Sequence, residues 1–246
     1  MEKISSNYKI QQQELFMLKE IDRIAKQYDL TYYLGYGTVL GAVRHNGFIP
    51  WDSDIDILVD INSYKLFCEI LNSHIDSKYE VKSIDTDPSY NSLKARVSLK
   101  GSSHTIIHVD IFPMVGSPKS IIGKKIFSKI AYWNYRLYSS KKYNSTIYGK
   151  RTPKSSIFNI LLLPIPSSIC ILIFNKLSTM FPIEQSKSIY NICGSYGYKE
   201  FFSKEWLGEA VYLKFEDHEF PVPKEWDKYL THIYGDYMTP RKNNYV

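Results

Sequence analysis

The chain has 246 residues, of which 44% are hydrophobic, the size and composition of one large globular domain rather than of a disordered segment. Cys68, Cys170 and Cys193 are far apart with no C-x-x-C pair, and Met1 to Gln13 is polar, which argues against a disulfide framework, a structural zinc or a secretory leader and suits a reducing cytoplasm. The net charge of +6 is uneven: eleven Lys or Arg lie from Lys119 to Lys176, and no acidic residue occurs between Asp110 and Glu184, a local field that suits a phosphorylated substrate, nucleic acid or an anionic lipid surface.

Leu15, Leu18, Ile21, Ala25 and Tyr28 recur at helical spacing, with Glu14, Lys19, Glu20, Arg23 and Lys26 between them, so an amphipathic first helix is expected with those charges in water. Thr31 to Leu34 reads as a short strand broken by Gly35 and Gly37, and Thr38 to Arg44 as a short helix starting at that turn. Asn46-Gly47 and Pro50 mark a loop before the apolar strand Ile55 to Val59. Ser63 is the expected cap of a helix to about Asn72, with Leu66, Phe67, Ile70 and Leu71 as its buried stripe. Leu93, Ala95, Val97 and Leu99 alternate with Lys94, Arg96 and Ser98; beyond Gly101, Ile107, Val109 and Ile111 alternate with His108 and Asp110. The short connection favours an antiparallel pair. The order predicts an α+β fold, a mixed sheet backed by helices.

Beyond Pro118 a basic, aromatic helical stretch is expected, followed by Ser155 to Asn175, which has no charged residue. Its length approaches a membrane span, but Pro164 and Pro166 at its middle would break the backbone ladder in hydrocarbon. A helix-turn-helix remains, either buried or lying at a membrane interface. Trp206 to Tyr237 mixes aromatic and charged residues and closes on a helix ended by Gly235. The boundaries drawn are a core over 14–117, a basic and apolar helical segment over 118–183, and a C-terminal part over 184–246 that completes one domain.

Side chains alternate along a strand, so Asp54 and Asp56 project to one face and Ile55 and Ile57 to the other. Two convergent carboxylates suit a hard divalent cation, magnesium with manganese as the alternative, since no His or Cys is suitably spaced for zinc. Asp110 has the same parity on its own strand, and if the two strands are neighbours three carboxylates meet. Such aspartates can also merely solvate a strand edge, but Asp is disfavoured in strands and three of them need compensation. A calcium loop starting at Asp52 fails at Ile57 and Ser63, where glycine and glutamate are required. Gly37-Thr38 at a helix start offers backbone amides and a hydroxyl to a phosphate. Arg44, His45, Lys94 and Arg96 are further phosphate candidates, although each alone also fits a solvated face. His108 reads as a packed histidine rather than a ligand.

The run GTVLGAVRHNGFIPWDSDIDI, with VDIFPM around Asp110 and YLTHIYGDYM around Gly235 and Asp236, resembles the LicD family, which includes bacterial phosphocholine transferases and the fukutin-related proteins. The resemblance implies a nucleotidyltransferase-type fold and transfer of a phospho-alcohol from a cytidine diphosphate (CDP) alcohol to a hydroxyl of a glycan or lipid-linked glycan. It implies Asp54 and Asp56 as metal ligands, Asp110 as the third carboxylate at the metal and Gly37-Thr38 as the phosphate turn; with that chemistry, Asp110 is the expected acceptor of the attacking hydroxyl's proton. Where the family shows three consecutive aspartates, this chain has Asp52, Ser53 and Asp54; strand parity turns Ser53 away from the metal side. Two rivals stay open: transfer of the nucleotide itself, and a metal-dependent binder without turnover. The apolar runs within the basic segment argue for an anionic membrane surface over nucleic acid.

Overall fold

A computed structural model describes residues 2–87, 90–101, 107–141 and 165–239. The helices among them are α1 (Glu2–Gln27), α2 (Tyr36–His45), α3 (Ile61–His74), α4 (Ile121–Lys141), α5 (Ser167–Met180) and α6 (Trp226–Tyr234). The strands are β1 (Tyr33–Leu34), β2 (Ile55–Asp60), β3 (Tyr79–Lys82), β4 (Ala95–Leu99), β5 (His108–Gly116), β6 (Ser188–Asn191), β7 (Phe201–Ser203), β8 (Val211–Phe215) and β9 (His218–Val222). The α+β expectation holds, with a mixed sheet in the order β1-β2-β5-β4-β3.

β5 organises the sheet because it pairs with three other strands. It runs parallel to β2, pairing Ile55 with Val109 and Asp56 with Asp110, and antiparallel to β4, pairing Arg96 with Asp110. Further along, Met114 to Gly116 pair with β6, which continues the sheet into β7. One face carries Ile55, Ile57, Val97, Val109 and Ile111, none more than 0% exposed, and α1 and α3 cover it. Each such side chain contributes about 1.5–3 kcal/mol of burial. Tyr64 of α3 fastens this layer, donating to the Ile111 carbonyl at 2.8 Å and accepting from the Ala95 amide at 2.6 Å. Strand parity then directs Asp56, Asp110 and Arg96, one row across three strands, to the opposite face.

Several expectations need correction. The cap of α3 is Asp60, whose side chain accepts from the Asn62 amide at 2.8 Å, while Ser63 only bonds back to the Asp60 carbonyl. Leu66 is 52% exposed, because the helix turns Phe67 and Leu71, not Leu66, onto the sheet. Glu14 is fully buried rather than solvated. The C-terminal part adds to its expected helix the strands β6 to β9, and Gly235 ends α6 at φ 76°. Of the uncharged stretch, residues 155–164 lie outside the described residues. The rest forms α5, which buries Cys170 and Phe174 against α4, where Asn134 donates to the Cys170 carbonyl at 2.9 Å, and exposes Ile169 and Leu172. Among the described residues, no helix is long and apolar enough to cross a membrane.

Candidate active site

The carboxylates are placed by a zipper between β2 and the first turn of α2. The Gly35 amide donates to the Asp56 carbonyl at 2.8 Å, and the Asp56 amide donates to Thr38 Oγ1 at 2.9 Å. Thr38 is buried and its own amide donates to the Gly35 carbonyl, so it positions Asp56 and has no free amide for a phosphate. Gly37 is glycine for space: a Cβ there would stand 2.6 Å from Asp52 Oδ2. Tyr36 adopts φ 45°, a left-handed conformation that is strained for a bulky residue. Buried partners hold it there, its amide donating to the Tyr229 hydroxyl and its own hydroxyl to Glu200, while Asn191 donates to it.

Asp52, Asp54 and Asp56 line one pocket of about 300 Å³ together with Gly37, Lys94, Tyr36, Phe112, Ser195, Tyr196 and Tyr234. Asp52 therefore joins the pair that strand parity had singled out. Burial and the neighbouring Asp54 push Asp52 up to about 8, and the same two causes raise Asp56 well above the usual carboxylate range. Crowded carboxylates with raised pKa values are short of positive charge.

Asp110 sits behind this pocket, beside Asp56, and is ion-paired with Lys94 and Arg96, with His108 Nε2 at 3.6 Å. Burial works to raise its pKa, but those cations hold it well below the usual range. Arg96 thus pairs with Asp110 outside the pocket lining, whereas Lys94 also reaches the pocket and lies 3.8 Å from the centre of the Phe112 ring. His108 is packed, as expected, and its Nδ1 is buried with no hydrogen-bond partner among the described residues.

A second cavity of about 550 Å³ shares Gly37, Asp52, Tyr196 and Tyr234 with the first and adds Arg44, Trp51, Lys199 and Asp236. Arg44 is held there by donating to the Tyr237 carbonyl at 2.9 Å. His45 lines neither cavity; its ring meets Trp51 edge-on at 6.4 Å. Among the described residues, no set of three His, Cys, Asp or Glu is arranged as a cage for a metal ion. Asp54 and Asp56 still fit magnesium, which binds through one or two carboxylates plus substrate phosphates.

Sequence reasoning missed Tyr36, Tyr196, Tyr234, Lys199, Glu200 and Glu14. A signal existed for two of these. Gly194-Ser195-Tyr196-Gly197 is a second glycine turn, and Glu14 lies on the helical spacing of Leu18, Ile21 and Ala25. Glu200 packs where a Cβ on Gly194 would fall, 2.1 Å away, and burial pushes it up to about 7.

The family model described as LicD/FKTN/FKRP, nucleotidyltransferase domain, matches residues 29–144, a span that contains every candidate from Gly37 to Asp110. The chain is 27% identical over 253 residues to the lipopolysaccharide cholinephosphotransferase LicD of Haemophilus influenzae, covering 93% of this chain and 91% of that protein. Shorter matches are to an uncharacterized protein of Rickettsia typhi, 33% identical over 27% of this chain and 21% of the relative, and to one of Rickettsia prowazekii, 42% identical over 17% and 15%.

Proposed function

The chain belongs to the LicD family of phosphotransferases, and from that premise we propose that it moves phosphocholine from CDP-choline to a hydroxyl of a lipopolysaccharide-type glycan. The observation that carries the reading is one pocket in which Asp52, Asp54 and Asp56 share walls with Lys94, Tyr36, Tyr196 and Tyr234. Carboxylates and lysine suit a pyrophosphate with its counter-cation, and tyrosine faces suit a quaternary ammonium. The adjoining cavity, with Arg44 and Lys199, has room and charge for the nucleotide half.

Asp54 and Asp56 would hold a divalent cation, magnesium or manganese, which supplies charge neutralisation at the pyrophosphate. The chain's own groups do the rest. Lys94 offers its charge to the phosphoryl oxygens, held in place by Asp110 from behind. Asp52, which lines both cavities, accepts the acceptor's proton as its oxygen attacks the choline-side phosphorus and cytidine monophosphate departs. Asp110, held between two cations, fits the role of positioning Lys94 better than that of a base.

Phosphorus NMR of CDP-choline with magnesium and a glycan acceptor should show cytidine monophosphate release and a new choline phosphodiester, both lost in Asp54→Asn and Asp56→Asn. Full turnover by either variant, or a product carrying the nucleotide instead of the choline phosphate, would overturn the reading.

A further inference from the structure

We propose that the outer face of α4 and α5 seats the protein on an anionic bilayer surface. Ile122, Ile126, Ile130 and Trp133 follow each other at four, four and three residues along α4 and are 72%, 55%, 44% and 49% exposed. That spacing makes one stripe along the helix. A parallel row one turn over carries Lys125, Lys129 and Arg136, all exposed. On α5, Ile169, Leu172 and Met180 are likewise exposed, with Lys176 among them. A water-facing helix normally turns charge outward and aliphatic side chains inward; here isoleucines and cations share the outer face, as on a helix lying in a membrane interface.

Charge names the partner. No acidic residue occurs between Asp110 and Glu184, so neither helix carries a carboxylate to repel anionic headgroups, and the basic row would lie level with them while the isoleucines enter the acyl boundary. Nucleic acid fits less well, because a phosphate groove gives the aliphatic stripe nothing to enter. Beside the stripe a mainly apolar cavity of about 640 Å³ opens between the two helices and the loops at 117–120 and 181–186, with Ile126, Phe127, Ile130, Leu177 and Met180 on its helical walls and space for hydrocarbon. The same α4 packs against Gly197–Glu200, next to pocket residue Tyr196, so the docked face and the tyrosine wall are joined by direct packing.

Flotation of the full chain with vesicles tests this. The protein should rise with vesicles of phosphatidylglycerol and phosphatidylcholine at low salt, stay behind with phosphatidylcholine alone, and lose binding as salt is added. Lys125→Glu with Lys129→Glu should weaken binding by at least about tenfold. Ile122→Ser with Ile126→Ser and Ile130→Ser should abolish flotation while circular dichroism and CDP-choline turnover in solution stay unchanged. Absence of the wild type from the anionic vesicles, or undiminished flotation of both variants, overturns the proposal. So does a dimer in light scattering that the serine variant dissociates, because the face would then cover a second copy of the chain.

Discussion

Asp110 concentrates the electrostatics of the site in one residue. Its side chain and those of its partners Lys94 and Arg96 are 3%, 10% and 15% exposed, so removing the anion takes away the carboxylate that two buried cations share. Asp110→Asn should cost about 3–5 kcal/mol in a urea unfolding curve; a loss under 1 kcal/mol would mean that the cations find other partners. Glu14 presents the opposite case. Burial pushes it from 4.5 up to about 9, against a backbone contact from the His108 amide, and its Oε2 has no partner among the described residues. A folded pKa above the unfolded one means that the folded state retains the proton, so this contribution is fully present below pH 4.5 and is lost as pH rises towards 9. Glu14→Gln should therefore match the wild type in melting temperature at pH 5 and exceed it at pH 8.5; equal pH profiles would count against a buried neutral Glu14.

Among the elements, α3 shows how a small group fixes a boundary. Asp60 closes β2 and caps α3 at once, and Asp60→Ala should lower stability by about 1 kcal/mol in thermal unfolding, with Ser63→Ala costing less. A sequence reader picks Ser63 because it stands before the apolar run, whereas the strand delivers Asp60 first. The glycine turn, β2, β4 and β5 were legible because alternation and turn chemistry are local signals. Asp54, Asp56 and Gly37 were found at the pocket for the same reason. β3 and β6, only four residues each, owe their form to pairing with β4 and β5, and Tyr196 and Tyr234 reach the pocket through tertiary packing that no local pattern encodes. Lys94 and Arg96 were read as phosphate candidates, and no local pattern shows that both pair with Asp110, which follows from packing β4 and its leading residue against β5.

At the scale of the whole molecule, the aspartate loop is held from both halves of the chain. Gln11 of α1 donates to the carbonyls of Ile49 and Asp52 at 3.2 and 2.7 Å. From the β8–β9 turn, the Glu216 amide donates to the Asn46 carbonyl at 2.8 Å, and Glu216 Oε1 accepts from the Phe48 amide at 3.0 Å. A second tie joins that hairpin to α1, where Asp22 accepts from Tyr32 and pairs with Lys26 and His218. Glu216→Ala should leave the fold intact and lower kcat by up to about 100-fold, because small displacements of the carboxylates are costly; unchanged kcat would show that Gln11 alone suffices. These distant anchors also bear on biosynthesis. On the ribosome, the segment from Asn46 to Asp56 emerges long before Glu216 and Tyr237 have been made, so the loop has only its Gln11 tie, and Arg44 lacks its carbonyl partner, during most of translation. A copy clipped before Glu216 would thus keep its three aspartates but hold them from one side only.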